Sequence, residues 1–292
     1  MSAAQERFSR GVAVVTGSGA GIGEGFARRL AEYGMDVVVT DVEIDRAEQV
    51  AASVRDAGGS ATAHHVDVSD ADSVERLAAD VFARHGRVDL LISNAGVEVA
   101  GRLWDVDPVR WRRIIGVNVD GAYHCVRAFV PRMIEQGSRG IVGIVSSTGG
   151  VTALAHQAAY VASKHAALSL TECLLLDVEA AGADLQVSAI MPNWVRSRLY
   201  EDAGSAHIED AHSRQTFEDM AKAMATAGMD PLDAATEMLE GVARGDFWVM
   251  TDAERVHQLM AQRAAMLIDR TLPAPPIPRS AEPVAAATGV RS

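Results

Sequence analysis

The chain has 292 residues, with 27 Lys plus Arg against 39 Asp plus Glu, a formal charge of −12. That balance repels phosphate backbones and anionic lipid surfaces, which argues against nucleic acid or membrane as a partner. Apolar residues make up 48% of the chain, enough for a packed core and too many for disorder along most of its length.

The opening MSAAQERFSRG carries no apolar leader core, and no apolar run approaches the ~20 residues that span a bilayer. The expectation is a soluble, cytoplasmic protein. Cys125 and Cys173 are the only cysteines. Two are too few for a disulfide scaffold and lack metal-ligand spacing, so both are expected as buried free thiols, with no metal site.

In chain order, apolar runs alternate with helical stretches. GVAVVTG precedes a helix over Gly21 to Tyr33, and DVVVTD precedes one near Asp45 to Ala57. ATAHHVDV then leads to a helix near Asp70 to His85, and VDLLISN to a long helix from about Pro108 to Glu135. GIVGIVSS leads to a helix over Gln157 to Ala180, and LQVSAIMP follows. Continuous Val/Ile/Leu runs separated by helices predict parallel strands buried on both faces and joined by right-handed crossovers. The fold class is α/β, a doubly wound parallel sheet of the Rossmann type.

After Pro192 the rhythm gives way to a polar, Met-containing stretch over 198–228, a candidate substrate lid. A helix from about Pro231, a last strand in DFWVMT and a helix near Asp252 to Arg270 complete a single domain over 1–270. Residues 271–292, rich in Pro and Ala, are expected to form a flexible tail.

Thr16-Gly17-Ser18-Gly19-Ala20-Gly21-Ile22-Gly23 lies between the first strand and its helix. Glycines there let backbone amides approach a pyrophosphate at the helix N-terminus. The spacing is T-G-x-x-x-G-x-G, with Ile22 where the G-x-G-x-x-G template has its third glycine. Asp41 ends the second strand, placed to accept hydrogen bonds from both adenine-ribose hydroxyls. With Glu43 nearby and no basic residue in the glycine turn, a 2′-phosphate would meet like charge, which favours NAD over NADP. Asp67 and Val68, ending the third strand, are placed to flank the adenine.

Tyr160 and Lys164 stand four residues apart in Tyr-Val-Ala-Ser-Lys, which puts phenol and ammonium on one helix face. A free phenol titrates near ~10, so acid–base work at neutral pH requires a cation to stabilise the phenolate. The chain favours arginine so strongly that Lys164 and Lys222 are its only lysines, and a compact ammonium can approach both a phenolate and the cofactor's ribose hydroxyls, which makes Tyr160 and Lys164 cofactor-binding candidates too, where a guanidinium fork would pack differently. Ser146 and Ser147 end the fifth strand at the carboxyl edge, where either hydroxyl could orient a substrate carbonyl. Asn118, in GVNVDG, is an unfavourable mid-helix residue unless its side chain has a local task, such as holding a water that relays protons to Lys164.

Together these residues resemble the short-chain dehydrogenase/reductase (SDR) family over roughly Gly11 to Tyr200, with weaker agreement to Met250. The glycine turn is similar to the family's cofactor loop and Asn94-Ala95-Gly96 to its strand-four motif. Asn118, Ser147, Tyr160 and Lys164 resemble its catalytic four. Ser147, thirteen residues before Tyr160, has the family's usual separation, which decides between the adjacent serines. The resemblance also implies that Pro192, Val195 and Ser197 contact the nicotinamide carboxamide, and that the chain forms a homotetramer or homodimer through its two long helices and the DFWVMT edge. Two departures are Asn193 in place of the usual Gly and Ser93 in place of the usual first Asn. Asparagine tolerates left-handed backbone geometry, which would preserve the turn at 193.

The expected reaction is an NAD-dependent interconversion of a secondary alcohol and a ketone. In the lid, Leu199, Tyr200, Phe217, Met220 and Met224 suit an adaptable apolar pocket or ordinary core packing equally. The first option implies a hydrophobic cyclic or aromatic small-molecule substrate. Zinc-dependent alcohol oxidation would need a Cys/His cluster, and His64 and His65 point oppositely as strand neighbours. The competing readings are a lyase or dehalogenase on the same fold, and a dinucleotide sensor without turnover.

Overall fold

In a computed structural model, residues 1–276 are described. Among them are seven parallel strands: β1 (Val12–Thr16), β2 (Asp36–Asp41), β3 (Ser60–His65), β4 (Leu90–Ser93), β5 (Gly140–Val145), β6 (Leu185–Met191) and β7 (Trp248–Met250). Their spatial order is β3-β2-β1-β4-β5-β6-β7. β1 pairs with β2 on one side (Val14 opposite Val38) and with β4 on the other (Val14 opposite Leu91). The strand order therefore reverses between β1 and β4, and the crevice beyond their carboxyl ends is where such sheets bind ligands.

The helices are α1 (Ala3–Arg7), α2 (Gly21–Tyr33), α3 (Ile44–Asp56), α4 (Ala71–His85), α5 (Pro108–Ile115), α6 (Gly121–Glu135), α7 (Ala158–Ala180), α8 (Leu199–Ala203), α9 (Ala211–Ala227), α10 (Pro231–Arg244) and α11 (Ala253–Asp269). Strand residues alternate between two cores, as the period of two demands. Ala13 and Val15 of β1 pack with Phe26, Leu30 and Met238 on one face. Val12 and Val14 pack with Leu77, Phe129 and Leu174 on the other. Among the described residues no helix is long and apolar enough to cross a membrane.

Two sequence expectations are modified, at 108–135 and at Cys173, while the expected helical lid divides in two and one helix is new. The long helix of 108–135 contains a π-helical turn over Gly116–Asp120, where the Gly121 N–H bonds the Gly116 carbonyl. The lid is two helices, α8 and α9, joined by 204–210. Cys125 is buried, but Cys173 is exposed, because it lies off the α7 stripe of Leu168, Thr171, Leu174 and Val178 that faces the sheet. Helix α1 was not anticipated; Ser2 and Gln5 form a capping box, and Ala4 and Phe8 join the first core. Of the expected tail, residues 271–276 are irregular, and residues 277–292 lie outside the described residues.

Candidate active site

The glycine turn is shaped by contacts that a Cβ would abolish. Gly17 and Gly21 adopt positive φ (60° and 57°), and a Cβ on Gly23 would lie 2.3 Å from the Gly17 carbonyl oxygen. Asn94 ties this turn to β4: its side-chain amide donates to the carbonyls of Thr16 (2.8 Å) and Gly17 (3.0 Å). The Thr16 hydroxyl accepts from the N–H groups of Asn94 and Ala95. The Ala20 N-cap provides no side-chain cap to α2, whereas Asp70, Asp107, Asp210 and Asp230 cap α4, α5, α9 and α10. The α2 N-cap thus supplies no side-chain acceptor to the first-turn N–H groups. Ile22 faces the core, and Gly21 abuts Ser197 across the crevice.

Asp41 is held by two backbone donors, Gly19 N–H (3.0 Å) and Glu43 N–H (3.0 Å). The sequence reading missed Arg46. It enters from α3, its Cβ packs where Gly19 leaves room, and its guanidinium pairs with Asp202 of the lid at 2.9 Å. A cation therefore stands beside the acidic strand end, although none lies in the turn itself. Asp67 caps its own loop by accepting from Ser69, while Val68 is buried against Gly121 and its carbonyl bonds His124. The Val68 side chain serves the core.

Beyond β6, the Pro192 carbonyl accepts from Thr148 N–H, and Val195 is buried beside Met229. The Ser197 hydroxyl accepts from Leu199 N–H. Asn193 does not adopt positive φ, contrary to expectation; its N–H bonds Thr251 and its side chain bonds Asp252, and Asp252 takes the left-handed geometry instead (φ 52°).

At the carboxyl end of β5 the two serines separate by strand alternation. Ser146 turns inward and donates to the Lys164 carbonyl at 2.8 Å. Ser147 faces the phenol of Tyr160: the Cβ position of Gly149 lies 3.0 Å from a Tyr160 ring carbon and 3.6 Å from Ser147 Oγ. On α7, Lys164 is buried, donates to the Val145 carbonyl (3.0 Å), and holds its Nζ 5.8 Å from the Tyr160 ring centroid. Gly96 leaves the space in front of it, since a Cβ there would lie 3.4 Å from Nζ.

Asn118 is clamped more firmly than expected. Its Oδ1 accepts from Val97 N–H (2.8 Å), and its Nδ2 donates to the Val97 carbonyl (3.0 Å) and to Ser163 Oγ (2.9 Å). Both donors are spent, leaving one lone pair of Oδ1 for any water.

The electrostatics correct one expectation. In the chain alone, burial pushes the Tyr160 phenol above its ordinary range, Glu98 pushes it further, and hydrogen bonding by Ser147 works in the opposite direction. Desolvation lowers Lys164 to about 8, opposed by Glu98. Burial therefore outweighs the mutual help that the i,i+4 spacing suggests. Glu98 itself was not anticipated. It is 3% exposed, and burial raises its carboxyl to about 8, with the Val99 N–H and Lys164 pulling down.

The glycine cradle after β1 and the buried Tyr–Lys pair beside β5 thus share the carboxyl edge of the sheet, with β4 between the two strands. The sequence profile described as short chain dehydrogenase matches residues 11–207. The chain belongs to the short-chain dehydrogenase family. It is 35% identical over 193 residues to meso-2,3-butanediol dehydrogenase of Serratia marcescens, covering 66% of this chain and 74% of that one. It is 33% identical over 246 residues to the oxidoreductase UcpA of Salmonella typhimurium, covering 84% and 91%. Among solved structures, an SDR from Burkholderia phymatum in complex with NAD superimposes with a TM-score of 0.88 at 30% identity, covering 94% and 99%. This short-chain dehydrogenase is thus an oxidoreductase of the family, with the family's sheet.

Proposed function

We propose that this short-chain dehydrogenase interconverts a secondary alcohol and a ketone with NAD, using Tyr160, Ser147, Lys164 and Asn118. The observation that carries the reading is the convergence of Tyr160, Ser147 and buried Lys164 at the carboxyl end of β5, beside the glycine cradle. The butanediol dehydrogenase relative, an enzyme of an alcohol, and the NAD-bound structural neighbour support it.

The cradle fits a dinucleotide: the uncapped start of α2 would hold the pyrophosphate, Asp41 the adenine ribose, and Asn94, Ala95, Gly96, Pro192, Val195 and Ser197 would line the nicotinamide half. When bound, oxidised nicotinamide supplies the hydride acceptor and a positive charge beside the phenol. The chain's own residues do the rest. Ser147 hydrogen-bonds the substrate oxygen and Tyr160 takes its proton in oxidation or returns it in reduction. Lys164 supplies the neighbouring cation, positioned by Val145. Asn118 fixes the strand-four loop in front of Lys164.

Leu199, Tyr200, Phe217, Met220 and Met224 form one cluster with Ile208 and Ala100, in which Tyr200, Phe217, Ile208 and Ala100 are buried and Leu199, Met220 and Met224 only partly so. That apolar cover suits a cyclic or aromatic substrate body. Exposed Tyr123, Ile134, Leu176 and Trp248 on α6, α7 and β7 suit self-association of these faces.

The test is absorbance at the reduced-nicotinamide band with a panel of secondary alcohols and ketones, with NAD and NADP in parallel. Turnover with NAD supports the reading. Dinucleotide binding without consumption of any substrate favours a sensor and contradicts it.

A further inference from the structure

Glu98 is the buried ionisable group that the proposed chemistry does not use. It sits in the loop after β4, one residue past the Val97 that Asn118 clamps. Apart from the neighbouring Val99 N–H, neither of its carboxyl oxygens has a hydrogen-bond partner, although the residue is 3% exposed. Buried polar groups in folded proteins are almost always fully paired, so a carboxyl served by one backbone N–H beside a reaction centre has capacity for a partner from outside the chain.

Its surroundings say where that partner sits. Its chain neighbours bracket the site, with Val97 and Val99 packed in one cluster with Tyr160 and Ala100 in the lid cluster with Tyr200, and the charge of Glu98 is felt by Tyr160, Lys164 and Tyr200 alike. Tyr200 is itself committed, its hydroxyl accepting from Gln157 Nε2 at 3.1 Å. As an anion, Glu98 would oppose ionisation of Tyr160 and so hinder alcohol oxidation. As a neutral acid it does not, and it then offers one O–H donor and one carbonyl acceptor. Burial favours that neutral form near pH 7.

We infer that Glu98 is a specificity-determining residue whose carboxyl group hydrogen-bonds a second oxygen on the substrate, close to the carbinol held by Tyr160 and Ser147. The substrate class is then a diol, or the matching hydroxyketone, with an apolar body under the lid. This deepens the alcohol–ketone reading and rests on it. An amino alcohol is disfavoured, because an ammonium would need the anionic carboxylate and would stand beside Lys164.

The test compares kcat/KM for pairs that differ only in the second hydroxyl, such as cyclohexane-1,2-diol with cyclohexanol and 1-phenylpropane-1,2-diol with 1-phenylpropan-1-ol, in wild type, Glu98→Gln and Glu98→Leu. Wild type is expected to prefer the diol by roughly tenfold or more, because a missing partner leaves a buried polar group unpaired. Glu98→Gln, which keeps one donor and one acceptor, retains most of that ratio, and Glu98→Leu brings it near one. A wild-type ratio near one, a ratio untouched in Glu98→Leu, or a Gln variant as impaired as the Leu variant overturns the inference. Ligand-induced thermal shift with the same pairs separates the two readings. If no alcohol is oxidised but the diol still stabilises wild type and not Glu98→Leu, the redox reading fails and the Glu98 site stands; if the diol stabilises neither protein or both alike, the site falls.

Discussion

Asn118 and Val97 are joined in both directions: the side-chain oxygen accepts from the backbone N–H at 2.8 Å, and the side-chain nitrogen donates to the backbone carbonyl at 3.0 Å. This pair holds the loop carrying Gly96 and Glu98 against α7. Asn118→Ala leaves the Val97 groups without that partner, at about 1–3 kcal/mol. The expected outcome is a lower midpoint in chemical denaturation and a kcat reduced about tenfold or more, with dinucleotide affinity little changed. Equal kcat in variant and wild type would show that the clamp does not position the site.

The cradle makes its own prediction. A methyl on Gly23 would meet the Gly17 carbonyl at 2.3 Å and Asn94 Nδ2 at 2.5 Å, both fixed atoms. Gly23→Ala is expected to cost roughly 1–3 kcal/mol of stability by overpacking and to weaken dinucleotide binding by an order of magnitude. Fluorescence titration with NADH checks this on the folded fraction.

The proposed preference for NAD rests on Asp41, with Arg46 beside it. Asp41 faces the turn as an acceptor, and Arg46 is engaged by Asp202. Asp41→Ser removes the like charge that a 2′-phosphate would meet, with Arg46 still paired to Asp202, so the NAD/NADP ratio of kcat/KM should fall by about tenfold or more. Asp202→Ala, which frees Arg46 alone, should move the ratio in the same direction by less. An unchanged ratio in Asp41→Ser would remove Asp41 from cofactor selection.

Glu98 gives a pH dependence of stability with a defined sign. Its carboxyl is raised by burial to about 8 in the folded chain, so its favourable contribution is complete below the ordinary carboxylate range. That contribution is lost as the pH rises from there through about 8, because the unfolded chain releases the proton first. Thermal midpoints of wild type should therefore fall relative to Glu98→Gln between pH 5 and 8. Lys164, lowered to about 8 by desolvation, titrates with the opposite sign at higher pH, and loss of the Glu98 charge lowers it further, which moves the difference between the two proteins in the same direction. Parallel curves would show that Glu98 is ionised throughout.

The fold was legible because its signals are local: continuous apolar runs for strands buried on two faces, and glycine punctuation before α2. The catalytic candidates were legible because i,i+4 spacing on α7 fixes Tyr160 and Lys164 to one face whatever surrounds them. What the sequence hid depends on tertiary placement. Arg46 looks like any helical arginine until α3 packs beside Gly19, and Glu98 like any loop acid until β4 and α7 bury it. The π-turn at Gly116–Asp120 adds a residue without breaking the apolar pattern, so periodicity does not reveal it. The short α1 lacks that periodicity, although its Ser2–Gln5 capping box was there to be read. The phenol's raised pKa is likewise a property of burial that spacing does not report.

In the proposed reaction the phenolic oxygen of Tyr160 carries the substrate proton. Tyr160→Phe removes that oxygen and keeps the ring. Measured with a substrate that wild type oxidises, the variant should lose turnover by a factor of ~10² or more, while NADH binding followed by fluorescence stays as in wild type. A Phe variant that binds NADH and turns over at a rate near wild type would contradict the account.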